Sequence, residues 1–161
     1  MPENPPSPRP QKSPRESFTE MTELVLPQHS NVLGTAFGGT VLAWIDVCGA
    51  IAAQRHCNRV AVTAAIDQVN FLAPIRVGDV VVLSARLNGA FRSSMEVEVE
   101  VKVEDPRTAH RTRCVDAFMT FVAVDDEGQA CAVPALIAES SDDERRATEA
   151  AERRAARLAK R

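Results

Sequence analysis

Asp46 stands inside "FGGTVLAWIDVCGAIAA", residues 37–53, where fifteen of the seventeen residues are apolar or glycine. A carboxylate in such surroundings is costly to bury unless something compensates it. On a helical wheel over 38–54, Asp46 shares its face with Gly39, Leu42, Ala43, Gly49, Ala50 and Ala53. The bulky Val41, Trp44, Ile45, Cys48 and Ile51 fall on the other side. The Asp46 face is thin, and a thin face admits a close approach by a ligand or another backbone. Gly38 and Gly39 open the same helix. First-turn N–H groups lack helical acceptors and carry the positive end of the dipole. With no side chain at Gly39, an oxygen with developing negative charge can reach those donors. Asn31, in the loop just upstream, offers a further amide. A base together with an oxyanion site is a set of parts for attack on a carbonyl.

Spacing adds a constraint. Gly39 and Asp46 are seven residues apart, roughly 10 Å along a helix axis. Reacting groups must lie within about 3–3.5 Å of each other. The donors and the carboxylate that serve one carbonyl therefore come from two copies of the chain. Two antiparallel helices, thin sides facing across a two-fold axis, give a homodimer with two equivalent sites.

Other chemistries find less support. No Ser–His–Asp set is in place, and no cysteine has a thiolate-activating setting. No His/Cys/Asp spacing fits a metal site. His29 and His56 are expected to be structural or exposed. The formal net charge of −3 gives no support to nucleic-acid binding. The apolar run at 37–53 is too short to span a bilayer, so no membrane partner is expected. Four scattered cysteines with no C-x-x-C pair fit a reducing, cytoplasmic setting.

The elements that position these residues are legible. A loose strand pattern at 19–26 precedes the helix. Strand patterns follow it at 60–72, 80–88, 95–104 and 111–124, separated by turn signals at Pro74 with Gly78–Asp79, Asn88–Gly89, Asp105–Pro106 and Asp125–Gly128. "MEVEVEVKVE" alternates at every position, which sets Met95, Val97, Val99, Val101 and Val103 on one face and Glu96, Glu98, Glu100, Lys102 and Glu104 on the other. A helix so apolar must be covered nearly all round. The fold class expected is α+β: a curved antiparallel five-stranded sheet wrapped around one long central helix. The ends differ in kind. Residues 1–17 hold six of the ten prolines and are expected to be a disordered tail. Residues 18–138 form the domain. Residues 139–161 are a charged helix, with Ser141 and Glu144 at capping-box spacing, expected to stay solvated and to fray.

"N-x-x-G-x-x-F-G-G-x-V-L-x-W-I-D", then "AAQRHCN", "FLAPIRVGD" and "FRSSMEVEVEV", together resemble the hotdog-fold acyl-CoA thioesterases, in the group of brain-type acyl-CoA hydrolase and its short bacterial relatives. The resemblance covers about residues 20–135. It implies hydrolysis of acyl-CoA to CoA and a carboxylic acid, with CoA as part of the substrate and no separate cofactor. It implies Asp46 as the carboxylate that activates water or attacks directly, Asn31 as the residue that orients water or substrate, and Gly38 and Gly39 as the carbonyl-polarising donors. Dimers that assemble into hexamers, as trimers of dimers, are implied too. Many relatives carry His where this chain has Phe37. For the CoA phosphates, which need cations and hydrogen-bond donors, the candidates are Arg92, Ser93 and Ser94 at the turn before "MEVEVEV", with Arg113 in addition. Thr63, on the strand after the helix, is left outside the set. A non-catalytic acyl-CoA-binding module and an acyl-thioester dehydratase remain alternatives.

Overall fold

The structure is a computed structural model that describes residues 8–160. The expected α+β architecture is present. The long helix α2 spans Gly38–Cys57. It lies against a five-stranded antiparallel sheet made of β2 (Thr19–Leu24), β3 (Val60–Phe71), β4 (Val80–Ala90), β5 (Ser94–Glu104) and β6 (Arg111–Val124), in the order β2-β4-β5-β6-β3. No proline interrupts α2, and Asn58 closes it in the left-handed conformation at φ 53°, a role that asparagine tolerates. None of the described helices is long and apolar enough to cross a membrane.

The alternation of β5 works as the pattern requires. Met95, Val97, Val99 and Val101 are fully buried in the core beside Val41, Ile45 and Cys48 of α2. The orientation of α2 differs from the wheel. Gly49 and Ala53, assigned to the thin face, are buried. A Cβ on Gly49 would stand 3.1 Å from the Phe121 ring, so this glycine answers the sheet of its own chain and not a ligand. Trp44 and Ile51, assigned to the filled side, are only half-buried. The residues left exposed on α2 run through Gly39, Ala43 and Val47, with Asp46 half-buried beside them. Apolar residues all round the helix leave its facing direction to the curvature of the sheet.

Both ends depart from expectation. The proposed disordered tail is corrected for its described part. Residues Gln11–Lys12 form β1, which pairs in parallel with β7 (Ala135–Leu136), and Pro14–Ser17 form the short helix α1. Ser13, Pro14 and Ser17 are buried. Residues 1–7 lie outside the described residues. The C-terminal helix α3 (Ser141–Leu158) is not a solvated appendage. It is capped one residue earlier than the spacing predicts, by Ser140, whose hydroxyl accepts from the Asp143 N–H. It docks on the outer face of the sheet. There Arg153 grips Glu96 through Nε and an Nη at 2.7–3.2 Å, Arg146 pairs with Glu98, and Arg157 holds Asp67 at 2.8 Å. Arg153 also stacks 4.0 Å over Phe118. Ala150 sits so close to β4 that a Cβ on Gly89 would be 3.1 Å from its own Cβ. The glutamate face of β5, solvated by the alternation alone, is thereby covered: Glu96 is 2% exposed. Such pairs fix a helix strongly once formed, because removing one partner strands a buried charge.

Candidate active site

The carboxylate of Asp46 is engaged. Thr63 Oγ1 donates to Asp46 Oδ1 at 2.5 Å. Thr63 pairs across the sheet with Phe121, and a register irregularity between Thr63 and Ala65 follows at once. One carboxylate oxygen is thus aimed by a hydroxyl, and no hydrogen bond within the described residues engages the other. Sequence reasoning left Thr63 out of the set, since nothing in the spacing tells which strand residue meets the helix.

The start of α2 supplies free donors. The Phe37 N–H donates to His29 O at 2.7 Å and the Thr40 N–H to Phe37 O at 3.0 Å. Between them, the N–H groups of Gly38 and Gly39 have no acceptor among the described residues. A Cβ on Gly39 would meet the Phe37 ring at 2.8 Å, and one on Gly38 would approach Phe71 at 3.8 Å. Phe37 itself is 58% exposed, so its ring lies over the helix start and not in the core. The donors and the Asp46 carboxylate occupy one uninterrupted helix, seven residues apart, so in a single protomer they do not converge.

Asn31 shapes its own loop. Its Oδ1 accepts from the Leu33 and Thr35 N–H groups at 2.9 and 3.3 Å, and its Nδ2 donates to Thr35 Oγ1 at 2.8 Å. The loop is tied to the body where the Ala36 N–H donates to Ile75 O at 2.7 Å. His29 stacks edge-on to Trp44, with ring centroids 5.1 Å apart. His56 is fully buried and bonds Pro134 O at 2.9 Å. Burial pushes its pKa down, the Pro134 carbonyl partly opposes this, and Lys12, Glu16 and Arg9 add smaller effects of mixed sign. Both histidines are structural.

The CoA candidates are dispersed. Arg92, Ser93 and Ser94 occupy the β4–β5 turn, closed by the Phe91 N–H donating to Ser94 O at 2.8 Å. Ser94 opposes Val122, whereas Arg113 opposes Lys102, nine residues away along β6. That separation is about 30 Å, so one protomer cannot bring Arg113 and the turn to the same phosphate. Arg113 is instead paired with Asp116 at 2.6 Å. No group of His, Cys, Asp and Glu among the described residues is arranged to hold a metal ion.

Comparison with known proteins gives the family. The family described as the thioesterase superfamily matches residues 33–110. Mouse acyl-coenzyme A thioesterase 11 is 40% identical over 140 residues, 86% of this chain but 24% of that protein. The chain thus spans about a quarter of the length of that relative. The acyl-CoA hydrolase of Staphylococcus aureus, solved with butyryl-CoA, CoA and CoA disulfide, is 37% identical with a TM-score of 0.88, covering 94% of this chain and 92% of that one. Variants of that enzyme, solved separately, replace an asparagine, an aspartate and a threonine by alanine. Their positions are spaced by 15 and then 17 residues, as are Asn31, Asp46 and Thr63 here. An apo-hexameric acyl-CoA thioesterase is 38% identical with a TM-score of 0.89, covering 94% of this chain and 97% of that one. The chain belongs to the thioesterase superfamily, among its hotdog-fold acyl-CoA thioesterases.

Proposed function

We propose that this chain hydrolyses acyl-CoA to CoA and a carboxylic acid, at sites shared between two copies. The observation that carries the reading is the Thr63–Asp46 contact on a helix whose first two N–H groups are free. Thr63 fixes one oxygen of Asp46, which leaves the other to take a proton from water. The water oxygen bonds to the thioester carbon. The carbonyl oxygen becomes negative against the Gly38 and Gly39 N–H groups of the other copy. The C–S bond then breaks, the acyl group leaves as the acid, and the proton held by Asp46 passes to the CoA sulfur. Asn31 keeps the loop closed around the helix start and has a second amide hydrogen for water or substrate. The chemistry needs nothing beyond the chain, the substrate and water.

The second copy is supported by surface as well as distance. Among the described residues, β3 is an edge strand with β6 as its only neighbour. Val60, Val62, Ile66 and Phe71 on β3 are 46–60% exposed, and Val47 of α2 is 51% exposed. An unpaired edge flanked by apolar side chains is a pairing surface. A homodimer covers it, and the hexameric relative supports further assembly of dimers. Four free cysteines suit the cytoplasm. A dehydratase that pairs His with the acid is disfavoured, because His29 and His56 are committed elsewhere.

Thiol release across a series of acyl-CoA chain lengths tests the activity. Wild type releases thiol and Asp46→Ala does not. Tight CoA binding without release would instead establish a binding module. Asn31→Ala and Asp46→Ala homodimers, each inactive, regain part of the rate when mixed and refolded; a silent mixture would refute the shared site.

A further inference from the structure

Two phenyl rings stand at the start of α2. Phe37 precedes the helix, and its backbone is committed: the N–H donates to His29 O at 2.7 Å, and the carbonyl accepts from the Thr40 and Val41 N–H groups at 3.0 and 3.2 Å. Its side chain caps nothing and stays outside the core. Phe71 ends β3 and is equally exposed. Exposed apolar rings gathered at one place mark a contact surface.

The two glycines meet these rings differently. A Cβ on Gly39 would stand 2.8 and 3.2 Å from carbons of the Phe37 ring, closer than a Cβ can come. One on Gly38 would stand 3.8 Å from the Phe71 ring, an ordinary contact. The Phe37 ring therefore occupies the place that a side chain at 39 would take. From the sequence, the bare Gly39 serves the approach of an oxygen; in the fold it also seats a ring. That ring is exposed and can swing outward, so a methyl at 39 displaces it and leaves the core intact.

The Gly38 and Gly39 N–H groups have no acceptor among the described residues. Beside them a cavity of about 290 Å³ opens between the loop before α2 and the chain after β3. Its walls include Thr35, Ala36, Val41, Phe71, Leu72 and Pro74, and none of its lining residues is charged. Donors act most strongly on a developing charge where water is excluded, because water screens the charge and competes for the same hydrogens. A phenyl ring over Gly39 displaces water from the donors and offers them no acceptor oxygen of its own.

We propose that Phe37 is a positioning residue for the reaction: its ring, seated on Gly39, roofs the Gly38 and Gly39 N–H groups and keeps water from them while the carbonyl oxygen gains charge. The assignment rests on the hydrolysis of acyl-CoA and gives the carbonyl donors an apolar cover. Thiol release over a range of acyl-CoA concentrations tests it on the full chain. The variants are Phe37→Ala, Phe37→Leu, Gly39→Ala and the double variant Phe37→Ala with Gly39→Ala, each checked for folding by a melting curve. A carbonyl donor is worth roughly 10²–10³ in kcat, and wetting the pair should forfeit about tenfold of that. Phe37→Ala should therefore lower kcat about tenfold and leave KM within about twofold, the mark of an effect confined to the transition state. Phe37→Leu keeps an apolar cover and should stay within about threefold of wild type. Gly39→Ala should lose the same factor of about ten, and the double variant no more than either, since no ring is left to displace. A double variant about a hundredfold down overturns the assignment, because the methyl then obstructs the carbonyl itself. A higher KM at unchanged kcat in Phe37→Ala overturns it too, as does Phe37→Leu failing as badly as Phe37→Ala. If wild type releases thiol and Phe37→Ala matches it, only this assignment falls. If wild type releases none, the hydrolase reading falls and takes this assignment with it.

Discussion

Thr63→Val separates an aimed carboxylate from one that is merely present. The substitution keeps the β-branched shape and deletes the hydroxyl that donates to Asp46 at 2.5 Å. Hydrogen bonds to charged groups contribute about 1.5–3 kcal/mol. Thr63 is exposed in the single protomer, so water replaces part of the lost bond and the lower half of that range applies. At about 1.4 kcal/mol per factor of ten, kcat should fall roughly ten- to fortyfold. KM should stay nearly constant, because Thr63 touches the base and not the carbonyl donors. Thr63→Ser restores the donor and should recover most of the rate. Thiol release at saturating acyl-CoA gives kcat, and a melting curve checks that both variants remain folded. Thr63→Val within about threefold of wild type would refute the aiming role, as would Thr63→Ser failing as badly as Thr63→Val.

Arg153→Ala leaves Glu96 without its cation at 2% exposure and removes the stack on Phe118. Stranding a buried charge costs about 3–5 kcal/mol, which lowers Tm by roughly 6–20 °C at about 2–4 °C per kcal/mol; the double variant Arg153→Met with Glu96→Met should recover most of it, and a cost below about 1 kcal/mol would mark an ordinary surface pair. His56 is held neutral by burial, so its folded pKa lies below the unfolded value of about 6.5. Its contribution is complete above that value and is lost as pH falls toward the folded pKa, where the unfolded chain binds the extra proton. Thermal melts should show stability declining below about pH 6.5, with a shallower slope in His56→Gln. Burial pushes the Cys48 thiol up to about 12, ahead of an opposing effect of Arg55. Iodoacetamide at pH 8 should label half-buried Cys131 first and Cys48 only after unfolding.

The sheet was legible because each β-strand announced itself by period and by the turn chemistry at its ends. β5 is the clearest case. The catalytic candidates were legible as types, since a carboxylate and two glycines stand out in an apolar helix. Their mutual geometry was not. The Thr63–Asp46 contact depends on an irregularity after Thr63, and that depends on how β3 meets β6. The docking of α3 had a signal of another kind. Arg146, Ala150, Arg153 and Arg157 recur at helical spacing, and Glu96 and Glu98 alternate on β5 to meet them. A search for apolar periodicity passes over such a stripe, because here charge joins the layers where hydrophobic area usually does. The N-terminal segment misled for a related reason. Its prolines suit an open chain, yet Pro14 opens α1 and is buried.

The strand order has a consequence for the growing chain. α2 and β3 leave the ribosome early, but β3 has no neighbour until β6 exists, and β6 begins at Arg111. β2 waits for β4, and β1 waits for β7 at Ala135. Among the described residues, β4–β5 and β5–β6 are local hairpins, but the other three pairings join distant parts of the sequence, which slows folding. Until β6 is made the apolar stripe Val41–Ile45–Cys48 therefore has no complete sheet to lie on, a state prone to association with other chains. Val115, Met119 and Phe121 of β6 complete the cover late. A message cut short before Phe121 would release a product with a bare hydrophobic helix, to be met by chaperones or proteases and never by substrate.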